Sequence, residues 1–202
     1  MDSSSNLLGN ARIARFYNQV FFLYPLVDFF CAPGRRRLIE HINREPVGRL
    51  LEIGVGPGRH LPLYLHHAVT AIDCSAKMVS ISRRNSPATP VRRMDGEALC
   101  FPDESFDYVT LCHVLSVTTL PEALLAEVHR VLRTGGRLFV LNHETPTHVW
   151  RHVDALLIPF SALLRFRSWF RLKDIPMAAR FRITSLALGR GYGLMKAYSL
   201  EK

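Results

Sequence analysis

Three glycines in alternate positions behind an apolar run carry the most informative chemistry in this chain. The segment LLEIGVGPGRH, residues 50–60, passes from leucines into Glu52 and then Gly54, Gly56 and Gly58. Glycines so spaced allow a tight turn and let a ligand come close to the backbone. The dinucleotide fingerprint needs a further glycine where Arg59 stands, so a pyrophosphate cradle is not indicated. Asp73 lies 19 residues after Gly54, and a carboxylate there can accept both hydroxyls of a ribose. Asp95, within MDGEAL at 94–99, can bind the amino group of an adenine. His113 and His143 are candidate proton acceptors at the ends of apolar runs. Tyr17 and Tyr24 stand seven residues apart, two helical turns, on a stripe that includes Val20 and Phe21.

The elements that must position these groups follow from periodicity. Residues 10–45 read as helices, with Ile13, Phe16, Tyr17, Val20, Phe21 and Tyr24 at helical spacing, punctuated at Pro25 and at Ala32-Pro33-Gly34. GRRRLIEHIN restarts a helix after that break. The middle of the chain alternates strands at 49–53, 68–72, 90–94, 107–112 and 136–142 with helices at 59–66, 75–84 and 121–133. Ser75 is positioned to cap the second of these helices, and Gly135-Gly136 to end the third. Such alternation predicts an α/β protein with a parallel sheet covered on both faces. Two closing strands, 180–188 and 192–200, flank a Gly189-Arg190-Gly191 turn that fits a hairpin.

The run from residue 47 to 142 resembles class I methyltransferases of the ubiquinone/menaquinone-biosynthesis type. The resemblance rests on acid-x-Gly-x-Gly-x-Gly at 52–58, Asp73, MDGEAL, FPDESFDYVTLCHVL at 101–115 and RVLRTGGRLFVLN at 130–142. It implies a Rossmann-like fold with a mostly parallel seven-stranded sheet, an antiparallel last strand and an N-terminal helical lid. The implied cofactor is S-adenosylmethionine, leaving as S-adenosylhomocysteine. By the same resemblance Gly54, Gly56 and Gly58 pack against its amino-acid moiety and Glu52 positions its ammonium. Asp73 takes the ribose, Met78 flanks the adenine, and Asp95 with Gly96 reads the adenine edge. Cys112 and His113 line the sulfonium and the substrate mouth. Pro57 departs from the pattern and removes one backbone donor from the loop.

Other segments are similar to soluble, peripheral bacterial phosphatidylethanolamine N-methyltransferases. They are GVGPGRHLPLY at 54–64, CHVLSVTTLPEALLAEVHRVLRTGG at 112–136, VLNHE at 140–144 and Gly34-Arg35-Arg36. Tyr24-Pro25 stands where Tyr-Asp is common in that group. The implied acceptor is the amine of a phospholipid headgroup, and the alternative is a small biosynthetic molecule methylated on N, O, S or C. Nucleic acid is disfavoured as a substrate, because Cys112-His113-Val114-Leu115 stands where an Asn/Asp-Pro-Pro-Tyr/Phe motif would be needed.

Composition agrees with an enzyme that meets an anionic surface. The length of 202 residues suits one domain: a lid at 1–46, a cofactor-binding core at 47–149, and a basic, apolar tail at 150–202. The formal charge of +9 is uneven, with +2 in the first of these segments, zero in the second and +7 in the third. Trp150, Val153, Leu157, Phe160 and Leu164 share one helical face, and Arg151, Arg165, Arg167, Arg171 and Lys173 flank or follow it. Apolar anchors beside cations suit an anionic bilayer, although a solvated face or an interface helix would look the same. No apolar stretch reaches the roughly 18 residues of a spanning helix, and no secretory leader is evident. The four cysteines match no zinc pattern and read as reduced thiols, which together predicts a cytoplasmic protein, peripheral on the inner membrane face if it binds lipid.

Methyl transfer needs a nucleophile aligned with an activated carbon, and an amine nucleophile must lose a proton. The lid residues Tyr17 and Tyr24 are the candidates for holding the amine, and His113 and His143 for taking the proton, with Tyr17 and His143 placed first. Packing or plain hydrogen bonding is the competing role for each.

Overall fold

The computed structural model describes residues 24–143, 172–187 and 195–202. The Tyr17 end of the proposed lid, the apolar face at 150–164 and the Gly189-Arg190-Gly191 turn lie outside them.

Short apolar runs become strands β1 (Arg49–Ile53), β2 (Ala68–Asp73), β3 (Val91–Arg93), β4 (Phe106–Cys112) and β5 (Leu132–His143). The chain closes with β6 (Arg182–Leu186) and β7 (Met195–Glu201). Together they form a seven-stranded sheet in the order β3-β2-β1-β4-β5-β7-β6. Every pairing from β3 through β5 is parallel, while β7 runs antiparallel to both β5 and β6. Six strands therefore point one way and the last points back, as expected. The two closing strands pair antiparallel, Arg182 opposite Glu201 and Leu186 opposite Ala197.

Helices cover both faces. On one face, α1 (Tyr24–Ile42) and α2 (Ala76–Asn85) bring Leu38, Ile39, Ile42 and Val79 against Leu50, Tyr108, Phe139 and Leu141. On the other, α3 (Pro121–Val131) brings Leu124, Leu125, Val128 and Val131 against Leu51, Val109, Leu111, Leu138 and Val140. Burying each such side chain stabilises the fold by roughly 1.5–3 kcal/mol before conformational entropy is subtracted. Ser75 caps α2 as expected, its hydroxyl accepting from the Met78 amide at 3.1 Å.

Three expectations are corrected. The break at Ala32-Pro33-Gly34 is absent, and α1 runs through Pro33 without interruption. An internal proline costs a helix about 3 kcal/mol. Burial of Arg35, Leu38, Ile39 and Ile42 one after another along the next two turns supplies the opposing packing. The helix expected at 59–66 shrinks to one 3-10 turn, Leu61–Leu63. Asn43 holds the chain there in a non-helical shape, donating to the Leu63 carbonyl at 2.8 Å and accepting from the Leu65 amide at 3.2 Å. Those are the backbone groups a longer helix would have used. Finally, Gly135-Gly136 does not end α3, which stops at Val131. The glycines instead bend β5 where its register against β4 shifts, with Gly135 at φ +74° bonded to the Lys202 carbonyl.

Candidate functional site

In an open parallel sheet a ligand crevice forms at the carboxyl ends of the strands, where the strand order reverses. Here the reversal falls between β1 and β4, and the glycine loop and His113 leave from those two strands. Gly54, Gly56 and Gly58 all have positive φ, between 56° and 74°, a region that side-chain-bearing residues rarely adopt. Two of them are also demanded by the chain's own packing. A Cβ on Gly54 would collide with the Val114 side chain, and one on Gly58 with Ser82. The loop is latched to α2 through Ser86, whose hydroxyl donates to the Gly58 carbonyl, and through Asn85, which donates to the Pro57 carbonyl.

Asp73, at the end of β2, closes the loop from below. One carboxylate oxygen accepts from the Gly56 amide at 2.9 Å, the other from the Ser75 amide at 2.8 Å. Burial pushes its carboxyl above the usual range, against the pull of those two amides. Lone pairs remain on both oxygens for further hydroxyl donors. Met78 is buried one turn into α2. Asp95 follows β3 and accepts from the Glu97 amide at 2.9 Å. Gly96 beside it is tight against protein, since a Cβ there would lie 2.8 Å from Ile53 and 3.0 Å from Leu124. Glu97 ties this loop to the one after β4, accepting from the amides of Thr119 and Leu120 at 3.0 and 2.8 Å. It thereby supplies an acceptor at the start of α3, whose own cap residue, Leu120, has none.

On the α1 face of the carboxyl edge the apolar alternation gives way to polar groups. Glu52 on β1 lies opposite Thr110 on β4, and both are fully buried. The imidazole of His60 meets Glu52 Oε1 at 2.5 Å through Nε2, and its Nδ1 lies 3.2 Å from Arg35. Tyr64 adds a phenol held protonated mainly by burial and secondarily by the Glu52 charge, with its hydroxyl 3.4 Å from Thr110 Oγ1. Burial likewise pushes the Cys112 thiol up, so it is a neutral thiol at the strand end. The second oxygen of Glu52 has no hydrogen-bond partner among the described residues.

His113 leaves β4 in the left-handed region, φ 61°, while its amide donates to Leu141 at 2.7 Å. That conformation costs a non-glycine residue of order 1 kcal/mol and keeps the loop after β4 over the glycine loop. His143 ends β5, paired with Met195 of β7. Tyr24 begins α1. Of the expected site residues, the structure thus gathers Glu52, the three glycines, Asp73, Asp95, Gly96, Cys112, His113 and His143 at one edge. Tyr17 lies outside the described residues. Arg35 and His60 were not foreseen as partners of Glu52. The four cysteines carry no disulfide.

A cleft of about 850 Å³ opens at the opposite edge of the sheet, between Asp103, Glu104, His129, Arg180 and Lys202. Its charges pair with each other, Arg130 with Asp103 at 2.8 Å and Lys202 with Glu104 at 3.5 Å, so it is largely neutralised.

Residues 51–140 match the family described as "Methyltransferase domain". The chain is 43% identical to the phosphatidylethanolamine N-methyltransferase of Cereibacter sphaeroides over 157 residues, which is 74% of this chain and 77% of that protein. It belongs to the S-adenosylmethionine-dependent methyltransferases. A second relative is the ubiquinone/menaquinone biosynthesis C-methyltransferase UbiE of Cupriavidus metallidurans, 28% identical over 157 residues, 71% of this chain and 63% of that protein. The fold is that of a SAM-dependent methyltransferase of Thermotoga maritima, with a TM-score of 0.73 at 22% identity, covering 93% of this chain and 99% of the other. The methyltransferase's site fits its cofactor on two observations: a buried carboxylate oxygen that lacks a donor among the described residues, and a strand-end aspartate with acceptor capacity to spare.

Proposed function

We propose that this methyltransferase N-methylates the amine headgroup of phosphatidylethanolamine or a related phospholipid. The observation that carries the reading is the 43% identity to the Cereibacter enzyme, spread over three quarters of both chains. The basic tail supports it, since each Lys or Arg near an anionic leaflet adds roughly 1 kcal/mol of attraction. None of the described helices is long and apolar enough to cross a membrane, so contact with lipid would be made from the surface.

When bound, the cofactor supplies a methyl carbon activated by a sulfonium. The chain's own residues bind and orient. Glu52 accepts from the ammonium, Asp73 from the ribose hydroxyls, and Asp95 with Gly96 reads the adenine edge while Met78 flanks the ring. Cys112 and His113 line the mouth between β1 and β4. Tyr17 and Tyr24 hold the amine, and His143 or His113 takes its proton. A neutral thiol at Cys112 cannot compete as a thiolate nucleophile.

Purified full-length protein, labelled S-adenosylmethionine and vesicles containing phosphatidylethanolamine test the reading by lipid mass spectrometry. Monomethylated headgroup is the expected product. The UbiE relatives favour a second reading, C-methylation of a quinone precursor. With demethylmenaquinone added to the same assay, label appearing in menaquinone and none in lipid would establish that reading instead. Binding to vesicles should need anionic lipid and weaken with salt. Equal retention by neutral vesicles would remove the basic tail from the account.

A further inference from the structure

We propose that Arg35 and His60 form a positioning relay that fixes one oxygen of Glu52 and reserves the other for the ammonium of the cofactor's amino-acid arm. The inference rests on reading the glycine-loop edge as the cofactor site. It adds two residues to that site, one on α1 and one in the 3-10 turn.

The donor inventory sets the direction of the relay. A guanidinium has only donors, so the Arg35 contact at 3.2 Å makes His60 Nδ1 the acceptor. The hydrogen of a neutral imidazole then sits on Nε2 and points to Glu52 Oε1, 2.5 Å away. Arg35 thus selects the tautomer, and the tautomer selects which carboxylate oxygen is used. All three groups are buried, with 5% of Arg35, 8% of His60 and 1% of Glu52 exposed. Solvent therefore does little to satisfy what the relay leaves open.

It leaves open Glu52 Oε2, a buried oxygen with no partner among the described residues. The Tyr64 hydroxyl lies 3.4 Å from Thr110 Oγ1 and close enough to the Glu52 carboxylate to interact with it, yet it makes no hydrogen bond to Oε2. Leaving a buried acceptor unmet is costly, and a charged acceptor more so. A cationic donor arriving at that oxygen recovers the cost, so part of the affinity should belong to the ammonium alone. Arg35 contributes a compensating positive charge through the imidazole without occupying the oxygen.

Two ligands separate this role from general support of the fold. S-adenosylhomocysteine carries the ammonium, whereas 5′-methylthioadenosine keeps the adenosine and sulfur but lacks the amino-acid arm. Calorimetric titration of the full chain should show His60→Leu weakening S-adenosylhomocysteine about tenfold or more, the loss expected of a charge-assisted contact. Binding of 5′-methylthioadenosine should stay within about threefold, well under that same loss. His60→Gln can accept from Arg35 and donate to Glu52, and should recover most of the preference. Arg35→Met should weaken S-adenosylhomocysteine alone, and should add little in the His60→Leu background. Parallel loss of both ligands in His60→Leu and Arg35→Met, or an unchanged preference, would overturn the relay. So would a His60→Gln variant as poor as His60→Leu. Failure of the wild type to bind either ligand would instead overturn the cofactor reading beneath it.

Discussion

The two faces of one sheet are built from the same strands and do different work. On the α3 face, Leu51, Ile53, Val109, Leu111, Leu138 and Val140 continue as apolar side chains to the carboxyl edge. On the α1 face, Leu50 and Tyr108 are followed along β1 and β4 by Glu52, Thr110 and Cys112, with Arg35 and His60 packed above them. Side chains alternate along a strand, so one sequence can write both patterns at once. Where the alternation stays apolar the face contributes stability. Where it turns polar near the strand-order reversal, the molecule gives up burial energy to hold a ligand.

The largest expected effect lies on the α3 face. Leu125→Ala, at a fully buried position, should destabilise the protein by about 2–5 kcal/mol in urea unfolding. Its affinity for S-adenosylhomocysteine should be unchanged where the variant is folded. A large affinity loss in that variant would mean that the two faces are not separable.

The reverse pattern is expected across the sheet. Glu52→Gln should weaken S-adenosylhomocysteine by about 1–3 kcal/mol, while unfolding free energy changes by under about 1 kcal/mol. The charge removed has one unmet oxygen, so its loss costs the apoprotein little. Denaturant unfolding beside calorimetry reads both quantities from the same preparation. A variant that loses stability but keeps affinity would assign Glu52 to the core.

Asp73 sharpens the same contrast through pH. Its carboxyl is raised above the usual 3.8 by burial. Its contribution to apoprotein stability is therefore full below the unfolded value and is lost as pH rises through the raised folded value. Ribose hydroxyls favour the ionised form, so ligand affinity should change the opposite way and weaken as pH falls toward the raised value. Asp73→Asn should bind about 1 kcal/mol more weakly at neutral pH and lose this dependence. An unchanged acid limb in Asp73→Asn would assign it to another group.

What the sequence makes legible follows from whether a feature is local. The β1 run, the glycine loop, Ser75 and the paired closing strands each carry their pattern within about ten residues, and all are recovered. Helix α1 passing through Pro33, the truncated turn after His60 and the bend at Gly135 depend on contacts from Arg35 to Ile42, from Asn43 and from Lys202. Arg35 illustrates the gap. Within GRRR it looks like part of a solvated basic run, yet Arg36 and Arg37 are exposed while Arg35 is buried. A signal was present: positions 35, 38, 39 and 42 share one helical face, and the other three are Leu, Ile and Ile. A cation on an apolar stripe calls for a buried partner, here the imidazole on Glu52.

The measurement closest to the centre of this account is calorimetric titration of S-adenosylhomocysteine into the wild type, Leu125→Ala and Gly56→Val. Gly56 has φ +56° and donates its amide to Asp73, so valine there strains the loop at the edge proposed to hold the ligand. Saturable binding at one site per chain in the wild type and Leu125→Ala, with none in a folded Gly56→Val, is the predicted result. Wild-type affinity in Gly56→Val would contradict the placement of the cofactor at the carboxyl edge of β1.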